Sequence, residues 1–207
     1  MKDPIDRLTP LGVMVLALLE EGDMHPYEMI RLMRQRHDDR LVAITNGTMY
    51  HTVTRLECTG LLAEVGVDRE GNRPERTTYT LTPSGRDATS EWVRRELVRT
   101  DHLVEFRVAL AEAHNLPRAE VVQLLRTRRE IVTAEQLAQR DGLRSARAAG
   151  VPEQFLLEVD REHRHLRTEL TWLGDVIDQL EQESYPWDAR EHSQSDLYIE
   201  QRKAARL

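Results

Sequence analysis

Three times in the first 85 residues a capping side chain is followed at once by proline: Thr9-Pro10, His25-Pro26 and Thr82-Pro83. Proline fixes φ and lacks an amide hydrogen, so it suits the first turn of a helix and little else inside one. These three points therefore fix where helices begin. Leu11, Val15, Leu18 and Leu19 form an apolar stripe after the first start, up to Gly22; Tyr27, Ile30 and Met33 form one after the second, up to the polar stretch His37-Asp38-Asp39-Arg40. Between the second and third starts, Thr45-Asn46-Gly47 caps a further helix, in which Tyr50, Val53 and Leu56 are read as one face and Gly60 as the end.

The period then changes from helical to alternating. Leu61 to Val67 and Thr77 to Leu81 are short β-compatible runs on either side of the polar stretch Asp68-Arg69-Glu70-Gly71-Asn72-Arg73-Pro74, which predicts a hairpin with a charged tip. Thr82-Pro83-Ser84-Gly85 opens the next helix, through Trp92, Val93 and Leu97. Helix, helix, helix, strand, strand, helix is the order of a winged helix.

Beyond residue 101 the pattern is helical throughout. Asn115-Leu116-Pro117 and Gly150-Val151-Pro152 are the strong breakers, and a long helix is expected after each. From Phe155 the apolar or aromatic positions are Phe155, Val159, His163, Leu166, Leu170, Leu173, Ile177 and Leu180, at spacings of three and four, close to a heptad seam. Such a seam wants a partner helix. The expected class is thus mainly α: an α+β winged-helix domain with a two-stranded wing over 1–100, an all-α dimerisation domain over 101–184, and a polar C-terminal tail over 185–207.

Composition removes several alternatives. One cysteine, Cys58, excludes a disulfide framework and an all-cysteine metal cage, and points to a reducing, cytoplasmic setting. The longest apolar run, Leu11 to Leu19, is nine residues where a membrane span needs ~20. With 29 basic against 36 acidic residues the formal charge is −7, so any nucleic-acid contact has to be local and not a bulk positive coat. No nucleophile elbow, P-loop or dinucleotide fingerprint is present, so no catalytic residue, cofactor or metal is assigned and the chain is not read as an enzyme. Glu162, His163, His165 and Glu169 include metal-capable groups, but His163 falls on the seam while His165 does not. Cys58 is read as a small packing residue.

Four words in order resemble the PadR family of bacterial transcriptional regulators, across roughly residues 8–95. They are Leu8-Thr9-Pro10-Leu11; His25-Pro26-Tyr27-Glu28; Asn46-Gly47-Thr48-Met49-Tyr50 leading through Arg55-Leu56-Glu57 to Gly60-Leu61-Leu62; and Arg76-Thr77-Thr78-Tyr79-Thr80-Leu81-Thr82-Pro83-Ser84-Gly85. Pro26 departs from the family, which more often has glycine there. The C-terminal helices look like those of the larger members, whose extra helices dimerise.

That resemblance, with the placement of hydrogen-bonding side chains, implies a homodimeric, sequence-specific repressor of an inverted-repeat operator in double-stranded DNA. Thr45, Asn46, Thr48, Tyr50, His51 and Arg55 would form the recognition helix in the major groove. Arg69, Arg73 and Arg76 would be the wing contacts, Arg73 and Arg76 foremost, and His25 and Tyr27 would position a phosphate at a helix N-terminus. Leu166, Leu170, Leu173, Ile177 and Leu180 would bury against a second chain. Trp92 is the candidate lining of a pocket for a small, aromatic effector, although a core tryptophan is the plainer reading. The rival from another class is a helical adaptor that binds protein partners through the winged helix and the seam, a reading kept alive by the low net basicity. Binding that weakens steeply with salt separates DNA from an apolar protein contact.

Overall fold

The computed structural model describes residues 4–68, 76–187 and 196–206. The chain is mainly α-helical, with helices α1 (Pro10–Glu20), α2 (Pro26–Gln35), α3 (Asn46–Cys58), α4 (Pro83–Val98), α5 (Leu103–Ala111), α6 (Arg118–Ala148), α7 (Leu157–Leu180) and α8 (Asp196–Arg206). Strands β1 (Leu62–Asp68) and β2 (Arg76–Leu81) pair antiparallel, with Leu62 opposite Leu81 and a register shift between Glu64 and Gly66. Among the described residues no helix is long and apolar enough to cross a membrane.

Two compact units divide the chain. The first comprises Met1–Glu96, His102–Leu116 and Asp188–Leu207; the second comprises Leu97–Asp101 and Pro117–Trp187. This partition departs from the expected boundaries at 100 and 184, because residues 102–116 and the C-terminal helix α8 both belong with the winged helix.

In the first unit each helix start forms as its local chemistry dictates. Thr9 Oγ1 accepts the Gly12 amide at 3.2 Å and His25 Nδ1 accepts the Glu28 amide at 3.0 Å, each satisfying a first-turn donor ahead of its proline. Every residue of α1 from Leu11 to Leu19 is buried, so this helix, apolar all round, forms the centre on which the others pack. α2 buries Glu28 together with Met29, Ile30, Leu32 and Met33 and leaves Arg34 and Gln35 exposed. Just before it, Met24 exchanges two backbone hydrogen bonds with Tyr79, at 3.1 and 3.0 Å, and so adds an isolated bridge to the edge of β2.

The join between α3 and the wing depends on two glycines. Gly60 ends α3 at φ +72°, a left-handed conformation that favours glycine, and lets the Leu61 amide return to the Leu56 carbonyl at 3.0 Å. Thr82 Oγ1 donates to the Gly60 carbonyl at 2.8 Å and accepts the Gly85 amide at 3.0 Å, so one hydroxyl caps α4 and ties it to the end of α3. Gly85 packs so closely on this turn that a Cβ there would stand 1.9 Å from the Leu61 carbonyl oxygen. Backbone cannot yield as a flexible side chain does. Gly85→Ala is therefore expected to lower stability by about 1–3 kcal/mol or more, read as a drop in urea midpoint with an unchanged slope. Stability equal to that of the wild type would show that this approach is looser than described.

α8 occupies the last part of the expected polar tail. Tyr198, Arg202 and Ala205 lie buried on one face of it, and it packs on α2. The Tyr198 hydroxyl donates to the Glu21 carbonyl at 3.2 Å, and Arg202 reaches the Asp23 carbonyl at 3.2 Å and the buried Glu28 carboxylate at 3.3 Å. A charged group as deeply buried as Glu28 needs such a counter-ion, and the cation comes from about 170 residues downstream. The local polarity of the segment hides this role.

The first unit also holds a cavity of about 160 Å³ lined by Met14, Leu18, Glu21, Arg36, Asp38 and Glu112, among others. Burial pushes the Glu112 carboxyl up to about 8; the nearby charges of Asp38 and Glu21 push the same way, while the Asn115 hydrogen bond and Arg36 oppose. A carboxyl whose folded pKa lies above its unfolded value binds more protons when folded, so its contribution is fully present below about pH 4.5 and is lost as the pH rises towards 8. Thermal melts are expected to show stability falling across that window. Glu112→Gln should flatten the fall, and an unchanged pH profile in the variant would exclude Glu112 as its source.

In the second unit α6 and α7 form an antiparallel hairpin joined through the Gly150-Val151-Pro152 turn. Leu166, Leu173, Ile177 and Leu180 of α7 are buried, as are Val132 and Leu143 of α6, and the two helices pack along one another. Arg128 of α6 is buried and crosses the hairpin to Glu169 Oε1 at 2.8 Å, while also hydrogen-bonding the Arg99 carbonyl. The partner helix that the seam requires is therefore α6 of the same chain. Leu170, only half-buried, is at the margin of this packing.

Candidate nucleic-acid interface

α3 is amphipathic in an unusual sense: its outward side carries hydrogen-bonding groups and almost no charge. Met49, Thr52, Val53 and Leu56 are buried and hold it on the unit, while Asn46, Gly47, Thr48, Tyr50, His51, Thr54 and Cys58 are exposed. Tyr50, expected to share a face with Val53 and Leu56, instead stands 52% exposed, and Met49 takes the inward place. The difference is one residue of rotation, which the two adjacent apolar side chains leave open. Cys58 is likewise exposed at the end of the helix instead of packed. Thr54, one turn beyond Tyr50 and His51 on the same side, was missed. The four-residue spacing from Tyr50, itself a candidate groove contact, was the available signal.

The helix start is a reciprocal capping box. Thr45 Oγ1 accepts the Thr48 amide at 3.1 Å and Thr48 Oγ1 accepts the Thr45 amide at 3.0 Å. Both hydroxyls are thus committed to the cap, although both remain at the surface. Asn46 and Gly47 follow in the first turn, and nothing lies within 4 Å of where a Gly47 Cβ would be, so that turn faces open space. Arg55 is half-buried, and its Nη2 donates to Thr9 Oγ1 at 3.0 Å. It braces α3 against the cap of α1, which gives it a structural role beside any contact with a partner. Glu57 is the one acidic residue of α3 and lies half-buried near its end.

At the start of α2, His25 is committed through Nδ1 to its cap, and its ring stacks with that of Tyr27 at 6.2 Å between centroids. Tyr27 is exposed and carries the Arg31 guanidinium over its ring at 5.7 Å. The wing is only partly described. Arg69 and Arg73 lie outside the described residues, and Arg76 is placed by its backbone alone, opposite Asp68 at the start of β2. Trp92 is 1% exposed in α4, lines neither the cavity above nor the cleft described below, and is a core residue. Among the described residues no three His, Cys, Asp or Glu side chains come together as a metal site.

Residues 15–91 match the family model described as "Transcriptional regulator PadR-like family". The N-terminal part of the chain is similar to the PadR-like family over those residues. The match runs from the middle of α1 to the middle of α4 and so takes in α2, α3 and both strands, while α5 to α8 lie outside it. That family is described as one of transcriptional regulators.

No curated protein sequence matches the chain. Among solved structures, Bacillus subtilis PadR in complex with operator DNA is 17% identical, with 83% of this chain and 99% of that chain covered at a TM-score of 0.38. Bacillus subtilis PadR in complex with p-coumaric acid is 17% identical, covering 88% of this chain and 100% of that one at 0.36. The PadR-like transcriptional regulator BC1756 from Bacillus cereus is 15% identical, covering 82% and 97% at 0.36. Superpositions this loose transfer neither ligands nor mechanism to the PadR-like chain.

Proposed function

We propose that the chain is a homodimeric, sequence-specific DNA-binding repressor that lays α3 into the major groove of an inverted-repeat operator. The observation that carries this reading is the outward face of α3, where Asn46, Tyr50, His51 and Thr54 stand exposed with no carboxylate among them, on a helix held rigidly by its buried face. Major-groove base edges are read by such donors and acceptors, and negative DNA tolerates this face in a protein whose overall charge is −7. Asn46 suits adenine and His51 suits guanine or a phosphate. Tyr50 offers a hydroxyl and an apolar ring edge. The Tyr27–Arg31 pair at the start of α2 supplies a positioning contact to the backbone, and the wing arginines follow the adjacent groove.

Dimerisation belongs to the same proposal and is carried by other side chains than the seam. Phe155 and Leu157 are 71% and 68% exposed beside the turn between α6 and α7, and such apolar area suits a second copy. A two-fold dimer would set its two α3 helices one helical turn of DNA apart, ~34 Å, hence the inverted repeat. An aromatic effector that released the DNA would have to bind the DNA-incompetent arrangement more tightly than the competent one. A regulator of this kind works in the cytoplasm, beside the chromosome.

Footprinting of the DNA upstream of the protein's own coding sequence tests the reading, with binding measured across a salt series. The expected result is a protected, two-fold-related site and an affinity that falls steeply with salt, at close to one logarithmic unit per phosphate neutralised. Absence of protection, with a salt-insensitive protein contact in its place, would favour an adaptor.

A further inference from the structure

A cleft of about 410 Å³ near the turn of the α6–α7 hairpin is lined by Arg140, Arg144, Arg147, Arg164 and Arg167, with Asp160, His163 and Leu143. Five guanidinium groups against one carboxylate is an unexpected lining in a chain of net charge −7. The cations are gathered from both helices. Asp160 of α7 accepts from Arg164 at 2.7 Å and is ion-paired with Arg147 of α6 at 3.7 Å, while Asp141 holds Arg140 at 3.1 Å and Arg144 at 3.5 Å. Glu153 takes the remaining bonds of Arg147, at 2.9 and 3.1 Å. Each carboxylate thus draws two like charges together or is shared with a cation that another already holds. Arg167 forms no ion pair among the described residues.

Stability does not account for this cluster. Exposed ion pairs contribute about 0–1 kcal/mol, and bringing guanidiniums together costs energy that three carboxylates offset only in part. The α6 dipole favours cations in its last turns, which accounts for Arg144 and Arg147. Arg164 and Arg167, in the third turn of α7, are too far from either end of that helix to gain from its dipole. The Arg164 hydrogen bond holds the Asp160 carboxyl below its ordinary range, with Arg147 acting in the same direction. His163 adds an independent sign: it lines the cleft, and its Nδ1 is buried without a hydrogen-bond partner among the described residues. A buried ring nitrogen left in that state is one that a ligand can satisfy.

We propose that this cleft is a binding site for a small anion carrying several phosphoryl groups, such as a phosphorylated metabolite with adjacent phosphates. Guanidinium forks meet phosphate oxygens in pairs, and a multiply charged ligand bridges the arginines of α6 and α7 where a single carboxylate cannot. The volume fits a ligand of nucleotide size. This site lies wholly within the second unit, and the proposal is independent of DNA binding by α3.

Calorimetric titration of the full chain with inorganic tripolyphosphate, pyrophosphate and orthophosphate tests it. Affinity is expected to rise with the number of phosphoryl groups, and Arg144→Ala with Arg167→Ala should weaken tripolyphosphate binding at least about tenfold. Arg126→Ala, outside the cleft and paired with Glu181, should leave it unchanged. Arg167→Gln alone, which leaves every described ion pair in place, should still give a measurable loss and keeps the test open should the double variant fail to fold. The proposal is overturned if the wild type binds none of the three anions at millimolar concentration, or if Arg126→Ala weakens binding as much as the cleft variants do. It is equally overturned if tripolyphosphate does not bind and the double variant instead loses affinity for duplex DNA or dissociates a dimer in sedimentation, since the cleft would then serve a DNA backbone or a second copy.

Discussion

Leu173→Asp is expected to unfold the α6–α7 hairpin. Leu173 is 0% exposed and sits between Leu166 and Ile177 on the buried face of α7, so a carboxylate there loses its water, and the buried cation of the hairpin, Arg128, is already held by Glu169. The leucine lost accounts for about 2–5 kcal/mol by itself, and burying an unpaired charge adds to that, which exceeds what a pair of helices can lose. Loss of ellipticity at 222 nm, and a urea transition for the second unit that disappears or moves below the first, are the expected signals. Leu170→Asp is the comparison. Leu170 is half-buried at the margin of the packing, so that substitution should cost markedly less and leave the hairpin folded. Were the seam instead an interface between chains, both substitutions would give folded monomers in sedimentation, and the intrachain packing of α7 on α6 would not be what holds it.

The second large effect is on DNA. Tyr50→Ala combined with His51→Ala is expected to lower affinity for a specific duplex roughly 100-fold or more, since each side chain that reads a base edge contributes about 1–3 kcal/mol. Both side chains are exposed, so the melting temperature should stay close to that of the wild type. A scrambled duplex should lose much less, because its affinity comes from phosphates that these residues do not chiefly neutralise. Met49→Ala gives the converse. It lies one residue from Tyr50 but is fully buried, and its loss should lower stability by about 2–5 kcal/mol before it affects recognition. Equal losses on both duplexes for the Tyr50 and His51 variant would make them backbone contacts, and unchanged binding to the specific duplex would remove α3 from the groove.

The candidate interface was legible in the sequence as a segment, less so as a set of side chains. Thr45 and Thr48 were picked out for their hydrogen-bonding capacity, and the structure uses that capacity for the cap. Arg55 was picked out as a base reader and is found holding Thr9, a partner 46 residues away in sequence that no local pattern indicates. Thr54, one turn beyond Tyr50, is absent from the candidate set although Tyr50 is in it. In each case the residue type was read correctly as polar, and what differed was which neighbour the fold had put beside it.

Helix starts and strand order follow from interactions that span at most a few residues. A capping oxygen or nitrogen, a proline behind it and a glycine able to take positive φ are local facts, so α1, α2, α4 and the end of α3 were legible from the letters alone, as were the hairpin and the three of the four PadR-like words that fall within residues 15–91. Orientation and partnership follow from contacts that the chain closes over long distances. Met49 and Tyr50 are both apolar enough to be buried, and only the packing of α3 on α1 and α2 decides that Met49 goes inward. A heptad seam states that α7 needs a partner without stating whose, and α6 of the same chain supplies it. The C-terminal segment reads as polar, but a helix that presents Tyr198 and Arg202 to α2 gives the buried Glu28 its counter-ion, and a buried charge of that kind becomes visible only once the fold has removed it from water.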